Sequence, residues 1–284
     1  MADLDPSAID AALVGTPFHG HLHYFPTIRS TNTHALEQAK AGAPHGSYYI
    51  ADEQTAGRGR SDHQWISKAG EGLYLSVLLR PNLPAADLVW LPLLAGLAAH
   101  RAIREVTALD ADLRWPNDLL MGPRKTGGIL VEAQTESRPD GHFATAAVIG
   151  IGINLHQQHF PPNLATEPTS LDLETGRHTS RQGLAIAVLQ QLHTEISAIP
   201  GSFPAIPVRI AAISTWVQGK KVEVHGPQPC TGITEGLDLR GFLRVRTEKG
   251  VVTITTGGIR AASELSEKSA HAAISTNPAN PLTR

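Results

Sequence analysis

Residues 113–153 read LRWPNDLLMGPRKTGGILVEAQTESRPDGHFATAAVIGIGI, and this stretch decides the fold. Leu113 to Met121, Gly127 to Thr135 and Phe143 to Ile153 are apolar runs rich in strand-forming residues, which predicts three strands. The last two are joined by the polar turn Glu136 to Gly141, so they are expected to pair as a hairpin. Working towards the N-terminus, Leu73 to Leu79 and Ser47 to Ala51 (SYYIA) also read as strands, and His21 to Ile28 alternates loosely as another. Leu88 to Ala108 carries a helical apolar pattern, kinked or started at Pro92. Ser30-Thr31-Asn32 precedes Ala35-Leu36-Glu37-Gln38-Ala39, so a hydroxyl or amide caps a helix there. Asp5-Pro6 opens a short helix that closes by Gly15. Towards the C-terminus, Leu184 to Ile196 and Pro207 to Val217 look helical. From Lys220 the texture changes to KKVEVHG, CTGITEG, GFLRVRTEKG and VVTITTGG, short alternating runs split by glycines, which suggests a small barrel of four or five strands. After Ala262 the chain is rich in Ser, Ala, Asn and Pro and is expected to fray.

The chain has 284 residues, 41% hydrophobic and 18% charged, enough to bury a core. Lys plus Arg number 24 against 26 for Asp plus Glu, a net charge of −2, whereas general nucleic-acid binders carry a basic excess. Cys230 is the single cysteine, which excludes an intrachain disulfide and a Cys-rich zinc module. The segment Met1 to Asp10 holds three acids and no base, the reverse of a secretory leader. The longest apolar stretch, Leu88 to Ala99, contains Pro92 and Gly96 and is too short to span a bilayer. A soluble cytoplasmic protein with no membrane partner is expected.

Four clusters carry chemistry. Gly57-Arg58-Gly59-Arg60 combines glycines that allow close backbone approach with two guanidinium forks suited to phosphate or carboxylate. It lies in a polar segment from Asp52 to Gln64, long enough for a functional or mobile loop. A solvated basic turn has the same letters. Arg114-Trp115-Pro116-Asn117-Asp118 uses Pro116 to stop a ladder and fix Asn117 and Asp118 in place, as an ordinary turn also does. Lys125-Thr126-Gly127-Gly128-Ile129-Leu130-Val131-Glu132 sets an ammonium beside paired glycines, or starts a hairpin. In Gly150-Ile151-Gly152-Ile153-Asn154, glycines within a strand mark the approach of a ligand or another backbone. None of these is a P-loop or a dinucleotide fingerprint.

Taken together and in order, Ser30-Thr31-Asn32, Gln54-x-x-Gly57-Arg58-Gly59-Arg60, Trp115-Pro116-Asn117-Asp118, Lys125-x-Gly127-Gly128-Ile129-Leu130-Val131-Glu132 and Gly150-Ile151-Gly152-Ile153-Asn154 resemble the biotin protein ligases, the biotin–[carboxylase] holoenzyme synthetases. The resemblance implies an α+β fold: a mixed sheet with flanking helices, of the class II synthetase-like kind, then a small Src-homology-3-like barrel. It places a catalytic domain at 1–218, the barrel at 219–263 and a tail at 264–284. It also implies an ATP-dependent ligase, a biotin--[biotin carboxyl-carrier protein] ligase. Such an enzyme activates biotin as biotinyl-5′-AMP with ATP and magnesium and transfers it to a lysine of a carrier domain. Ser30, Thr31, Asn32 and Gln54 would meet biotin together with Gly57, Arg58, Gly59, Arg60, Lys125 and Gly128. Arg58, Arg60, Trp65, Asn117, Lys125 and Asn154 would bind the nucleotide. Lys125, Arg60 and Asp118 would be catalytic, with Asp118 accepting from the incoming lysine ammonium or orienting it. No direct metal ligand is assigned.

Family members that repress transcription carry a DNA-binding module ahead of the catalytic domain. Twenty-nine residues precede Ser30, so no such module and no DNA partner are expected. Some members dimerise, so a homodimer is possible. The chain departs from the family at Ser61-Asp62-His63, where a further Gly and Arg are usual, at Arg29 in place of an acid, and at Arg114 in place of Lys. His19, His21 and His23 could face one side of a strand and bind metal, although a polar surface is the simpler reading. Cys230 is read as structural or exposed rather than nucleophilic. Trp90 with Leu91, Leu93, Leu94 and Leu97 is read as core packing.

Overall fold

The computed structural model describes residues 4–61, 63–162 and 164–262; the expected tail at 264–284 and Asp62 lie outside them. In chain order the elements are α1 (Pro6–Ala11), β1 (Leu22–Ile28), α2 (Thr31–Lys40), β2 (Tyr48–Gln54), β3 (Gly72–Leu79), β4 (Leu83–Pro84), α3 (Trp90–Thr107), β5 (Asp112–Arg114), β6 (Asp118–Met121), β7 (Arg124–Arg138) and β8 (Gly141–Asn154). Then follow α4 (Leu171–Thr175), α5 (Arg181–Ser197), α6 (Ile206–Ile213), β9 (Gln218–His225), β10 (Cys230–Leu237), β11 (Leu243–Thr247), β12 (Gly250–Ile254) and β13 (Gly258–Ala261).

The main sheet runs β1-β2-β3-β8-β7-β6-β5, with β4 added on β8. It is mixed: β1 and β2 are parallel and the other pairs antiparallel. The expected hairpin is β7–β8, in register from Arg138↔Gly141 to Gly127↔Ile153. β3 is buried along its whole length, because helices cover both faces of the sheet. The alternating side chains Leu73, Leu75, Val77 and Leu79 join the larger core with α3 and α5, and Leu78 joins a second core with Ala35 and Ala39 of α2. The same alternation on β8 sends Ile149, Ile151 and Ile153 into the larger core. It leaves Gly150 and Gly152 on the α2 side.

Capping follows the sequence where hydroxyls and carboxylates permit. Asp5 accepts from Ser7 N and Ala8 N at α1, and Ser30 Oγ accepts from Thr33 N at 3.4 Å at α2. α3 starts at Trp90, two residues before Pro92, which falls in the first turn where no intrahelical donor is lost. With the short 3₁₀ turn ahead of it, the helical stretch Ala85–Thr107 is long and apolar enough to cross a bilayer, but two-thirds of its most apolar part is buried inside the protein. Trp90, Leu91, Leu93, Leu94 and Leu97 are core, as expected.

Two expectations are corrected. Leu113 to Met121 is not one strand: Trp115-Pro116-Asn117 divides it into β5 and β6, which fold back on each other with Arg114 opposite Asp118. Pro207 to Val217 stops being helical at Ile213, because Ser214 Oγ donates to Leu113 O at 2.6 Å and Thr215 N to Asp112 Oδ1 at 3.0 Å. The short helix α4 gave no apolar period. The C-terminal sheet is antiparallel with order β12-β11-β10-β9-β13, and its end strands do not pair with each other. It is a small Src-homology-3-like barrel left open at one side.

Candidate active site

The α2 side of the sheet carries a cavity of about 760 Å³. Its floor follows from three adjacent strands: Tyr74, Gly152 and Gly128 form one cross-strand row, and Ser76, Gly150 and Leu130 the next. Glycine at 128, 150 and 152 removes three side chains from one patch. The room is used at once, since a Cβ on Gly150 would lie 2.2 Å from Asn32 Oδ1 and one on Gly152 2.6 Å from Trp65 Nε1. Close approach therefore explains Gly150 and Gly152, whereas a Cβ on Gly128 would come no nearer than 3.4 Å to Trp65.

One end of the cavity is neutral and polar. Ser30, Thr31 and Asn32 at the start of α2 are buried. Gln54 Oε1 accepts from Thr31 N at 2.9 Å and Thr31 Oγ1 at 3.1 Å, and Gln54 Nε2 donates to Ser67 Oγ at 2.8 Å. Ser76 Oγ, in the middle of β3, lies 2.7 Å from Asn32 Oδ1 and 2.8 Å from Thr31 Oγ1. Ser76 was not anticipated. The available signal was a lone hydroxyl inside the apolar run Leu73 to Leu79, since buried polar groups need partners.

The other end is cationic. Asp118 Oδ1 takes Lys125 Nζ at 2.6 Å, and its Oδ2 takes Arg114 Nη2 at 2.7 Å. Burial pushes the Asp118 carboxyl up, but Lys125 and Arg114 outweigh it and hold the carboxyl below its ordinary value. Both oxygens being engaged, Asp118 positions Lys125 and is a weak base. Arg114 also donates to Thr166 Oγ1 at 2.8 Å. Lys125 stands 5.5 Å from the Trp65 ring centroid, a cation–π contact.

The segment read as an irregular loop folds back as a narrow hairpin. Gln54 pairs with Ser67 and Arg58 with Gln64, Trp65 N donates to Gly57 O at 2.9 Å, and Gly59 N to His63 O at 2.8 Å. Gly57 is packed against Trp65 O, where a Cβ would lie 2.4 Å away, and it lies behind the cavity wall. Arg58, Gly59 and Arg60 line the wall. Arg58 Nη1 meets Glu132 Oε1 at 2.9 Å. Arg60 Nη1 donates to Asn117 Oδ1 at 3.1 Å and to Gly257 O of the small barrel at 2.8 Å. Burial pushes the Arg60 guanidinium down from its ordinary value, against the opposing pull of Asp118.

Asn117 and Asn154 line the cavity but spend their amides on structure. Asn117 Nδ2 donates to Ile129 O at 2.9 Å, and Asn154 Nδ2 to Thr169 O at 3.0 Å. Asn154 thereby ties the end of β8 to Thr169, and Phe160, Leu164 and Thr166, shortly before Thr169 in the chain, form a wall for which no sequence signal was read. Gly226, Gly258 and Arg260 of the barrel complete it. Two buried polar atoms on the wall, Trp65 Nε1 and Gln157 Oε1, have no protein partner and suit a bound ligand.

Among the described residues, the group with metal-binding spacing is His156, Asp172 and His178; His19, His21 and His23 form no such group. The rings of His156 and His178 stack at 4.1 Å and 16°, so no one ion lies in the plane of both. His23 instead stacks on Tyr49 at 4.9 Å. Cys230 is half-buried outside the cavity wall, and burial pushes its thiol up, away from reactivity.

The chain is similar to several known proteins. The model of the Biotin/lipoate A/B protein ligase family matches residues 24–154. The Bacillus subtilis Bifunctional ligase/repressor BirA is 40% identical over 171 residues, 60% of this chain and 51% of that protein. The Mycobacterium tuberculosis Biotin--[acetyl-CoA-carboxylase] ligase is 31% identical over 237 residues, 81% of this chain and 85% of that protein. The solved biotin protein ligase of Aquifex aeolicus in complex with biotin and ATP superposes with a TM-score of 0.71 at 29% identity, over 86% of this chain and 100% of that one. The chain spans about half the length of the first curated relatives it matches. It belongs to the biotin/lipoate A/B protein ligase family and, within it, to the biotin protein ligases.

Proposed function

We propose that the chain is an ATP-dependent ligase that joins biotin to a lysine of a biotin carboxyl carrier domain. The observation that carries this reading is one cavity with a neutral, hydroxyl-and-amide end at Ser30, Thr31, Asn32 and Gln54 and a cationic end at Arg58, Arg60 and Lys125. A ureido ring offers two N–H donors and a carbonyl acceptor, which suits the first end; a carboxylate and phosphates suit the second.

In the first step a biotin carboxylate oxygen attacks the α-phosphorus of ATP, and pyrophosphate leaves. In the second the acceptor amine attacks the carbonyl carbon of the mixed anhydride, and AMP leaves. Charge neutralisation and alignment suffice, with no protein nucleophile. Lys125, held by Asp118, and Arg58 and Arg60, brought by the hairpin, supply fixed positive charge. The Trp65 indole, resting on Gly152, would cover the adenine, and its free N–H remains for a ligand acceptor.

Magnesium is a hard cation that takes oxygen ligands. Of the carboxylates on the wall among the described residues, Asp118 is spent on Lys125 and Arg114, which leaves Glu71. One carboxylate is no cage for the ion, so it would enter on the phosphates of ATP rather than reside in the protein. The domain division is proposed at 218/219, with the barrel closing one wall of the cavity.

The test is incubation of the chain with ATP, magnesium, biotin and a carrier domain, read by intact mass. A gain of one biotin on a carrier lysine is expected. Charging with lipoate in preference to biotin would overturn the assignment.

A further inference from the structure

Every polar group at the neutral end of the cavity has a partner, and the chain of partners ends on a residue that is not on the wall. Asn32 Nδ2 faces two acceptors, Leu130 O at 3.4 Å and Glu132 Oε2 at 3.0 Å. A carboxylate accepts and never donates, so Glu132 fixes which way the amide points. Asn32 Oδ1 is thereby turned to Ser76, whose one hydroxyl proton it takes. The same carboxylate holds Arg58 Nη1 at 2.9 Å through Oε1. Glu132 therefore touches two groups assigned to the ligand, one buried at the helix start and one on the hairpin, while standing behind both.

We propose that Glu132 is a positioning residue for the ligase reaction: it orients the Asn32 amide towards the biotin head and docks the Arg58 hairpin on β7 before ligand arrives. The proposal rests on the ligase reading only for its biotin arm. Glycine at 150 supports it, since the Asn32 amide sits where a Cβ on that residue would be. The position of Glu132 also explains why the motif Lys125-x-Gly127-Gly128 extends four residues past the glycines. By strand alternation Gly128, Leu130 and Glu132 share one face, and the third of them reaches the underside of the site.

Two variants separate the two duties. Glu132→Gln keeps an acceptor for Asn32 and loses the charge that holds Arg58. Glu132→Ala loses both. Tryptic nicking after Arg58 in the ligand-free chain should accelerate about tenfold in each variant, as for loss of one charge-assisted hydrogen bond. The KM for biotin should stay within about threefold of wild type in Glu132→Gln and rise about tenfold or more in Glu132→Ala. The KM for ATP should rise alike in both, because both lose the charge that docks Arg58. A purely structural role would instead lower the melting temperature and raise the biotin KM alike in the two variants. Wild-type nicking in both variants, or equal biotin KM values in the two, would overturn the proposal. Because the nicking arm uses no substrate, it stands or falls independently of what the enzyme ligates.

Discussion

Asp118 carries two cations on one carboxylate, and removing its charge has a calculable consequence. Arg114 is buried, with a side chain only 8% exposed, and has no other carboxylate within ion-pair reach among the described residues. Asp118→Asn is expected to cost about 3 kcal/mol at pH 7, because it leaves a buried charge uncompensated. The dependence on pH has a definite sign. A carboxyl whose folded value is depressed contributes stability above its unfolded value of about 3.9, and that contribution is lost as the pH falls through the folded value. The gap between wild type and Asp118→Asn should therefore be full at pH 7 and narrow below about pH 4. Urea unfolding at pH 7 and pH 3 measures it; a gap that widens in acid would show that the pair is not what stabilises the site.

At the scale of elements, the site rests on alternation within β8 and β7. Gly150→Ala should push Asn32 off its place, since the new Cβ would stand 2.2 Å from Asn32 Oδ1. The overpacking is expected to cost about 1–3 kcal/mol, with a weaker affinity for biotin measured by calorimetry and a lower melting temperature. An unchanged affinity would mean that the amide is not part of the binding surface. This alternation was legible in the sequence: Ile149-Gly150-Ile151-Gly152-Ile153 announces an apolar face and an empty one. The hairpin of β7 and β8 and the largely apolar, buried β3 were equally plain, because apolar runs report burial directly. The fold-back at residues 54–67 was not legible, since it is held by backbone bonds between polar residues such as Gly59 and His63, which leave no apolar period. Glu132 stood in a quoted motif without a role, because what it does depends on Asn32, a hundred residues away. The turn at Trp115-Pro116-Asn117 was visible, but that it folds β6 back against β5 depends on the pairing of Arg114 with Asp118.

At the scale of the molecule, the small barrel is stitched to the sheet at several points. Trp115 Nε1 donates to Gly241 O at 3.2 Å, Gly241 sits against Trp90 where a Cβ would lie 2.9 Å from the ring, and Arg60 reaches Gly257 O. The barrel thus helps hold the hairpin over the cavity, which in the proposed reaction would shield a mixed anhydride from water until the acceptor arrives. Arg60→Gly should release biotinyl-adenylate faster and label bystander lysines, while adenylate synthesis falls less. Release of labelled adenylate after removal of free ATP measures this; equal rates with no promiscuous labelling would show that Arg60 is not the latch. The same stitching has an optical consequence. The chain's four tryptophans are Trp65 on the cavity wall, Trp90 and Trp115 against Gly241, and Trp216, which lies between the Arg114 guanidinium at 5.3 Å and the Lys220 ammonium at 5.1 Å. None stands in a remote part of the surface. The intrinsic emission of this protein is therefore a native reporter without added dye: Trp65 and Trp115, both on the cavity wall, sense occupancy of the site, and Trp90, Trp115 and Trp216 sense whether the barrel is seated.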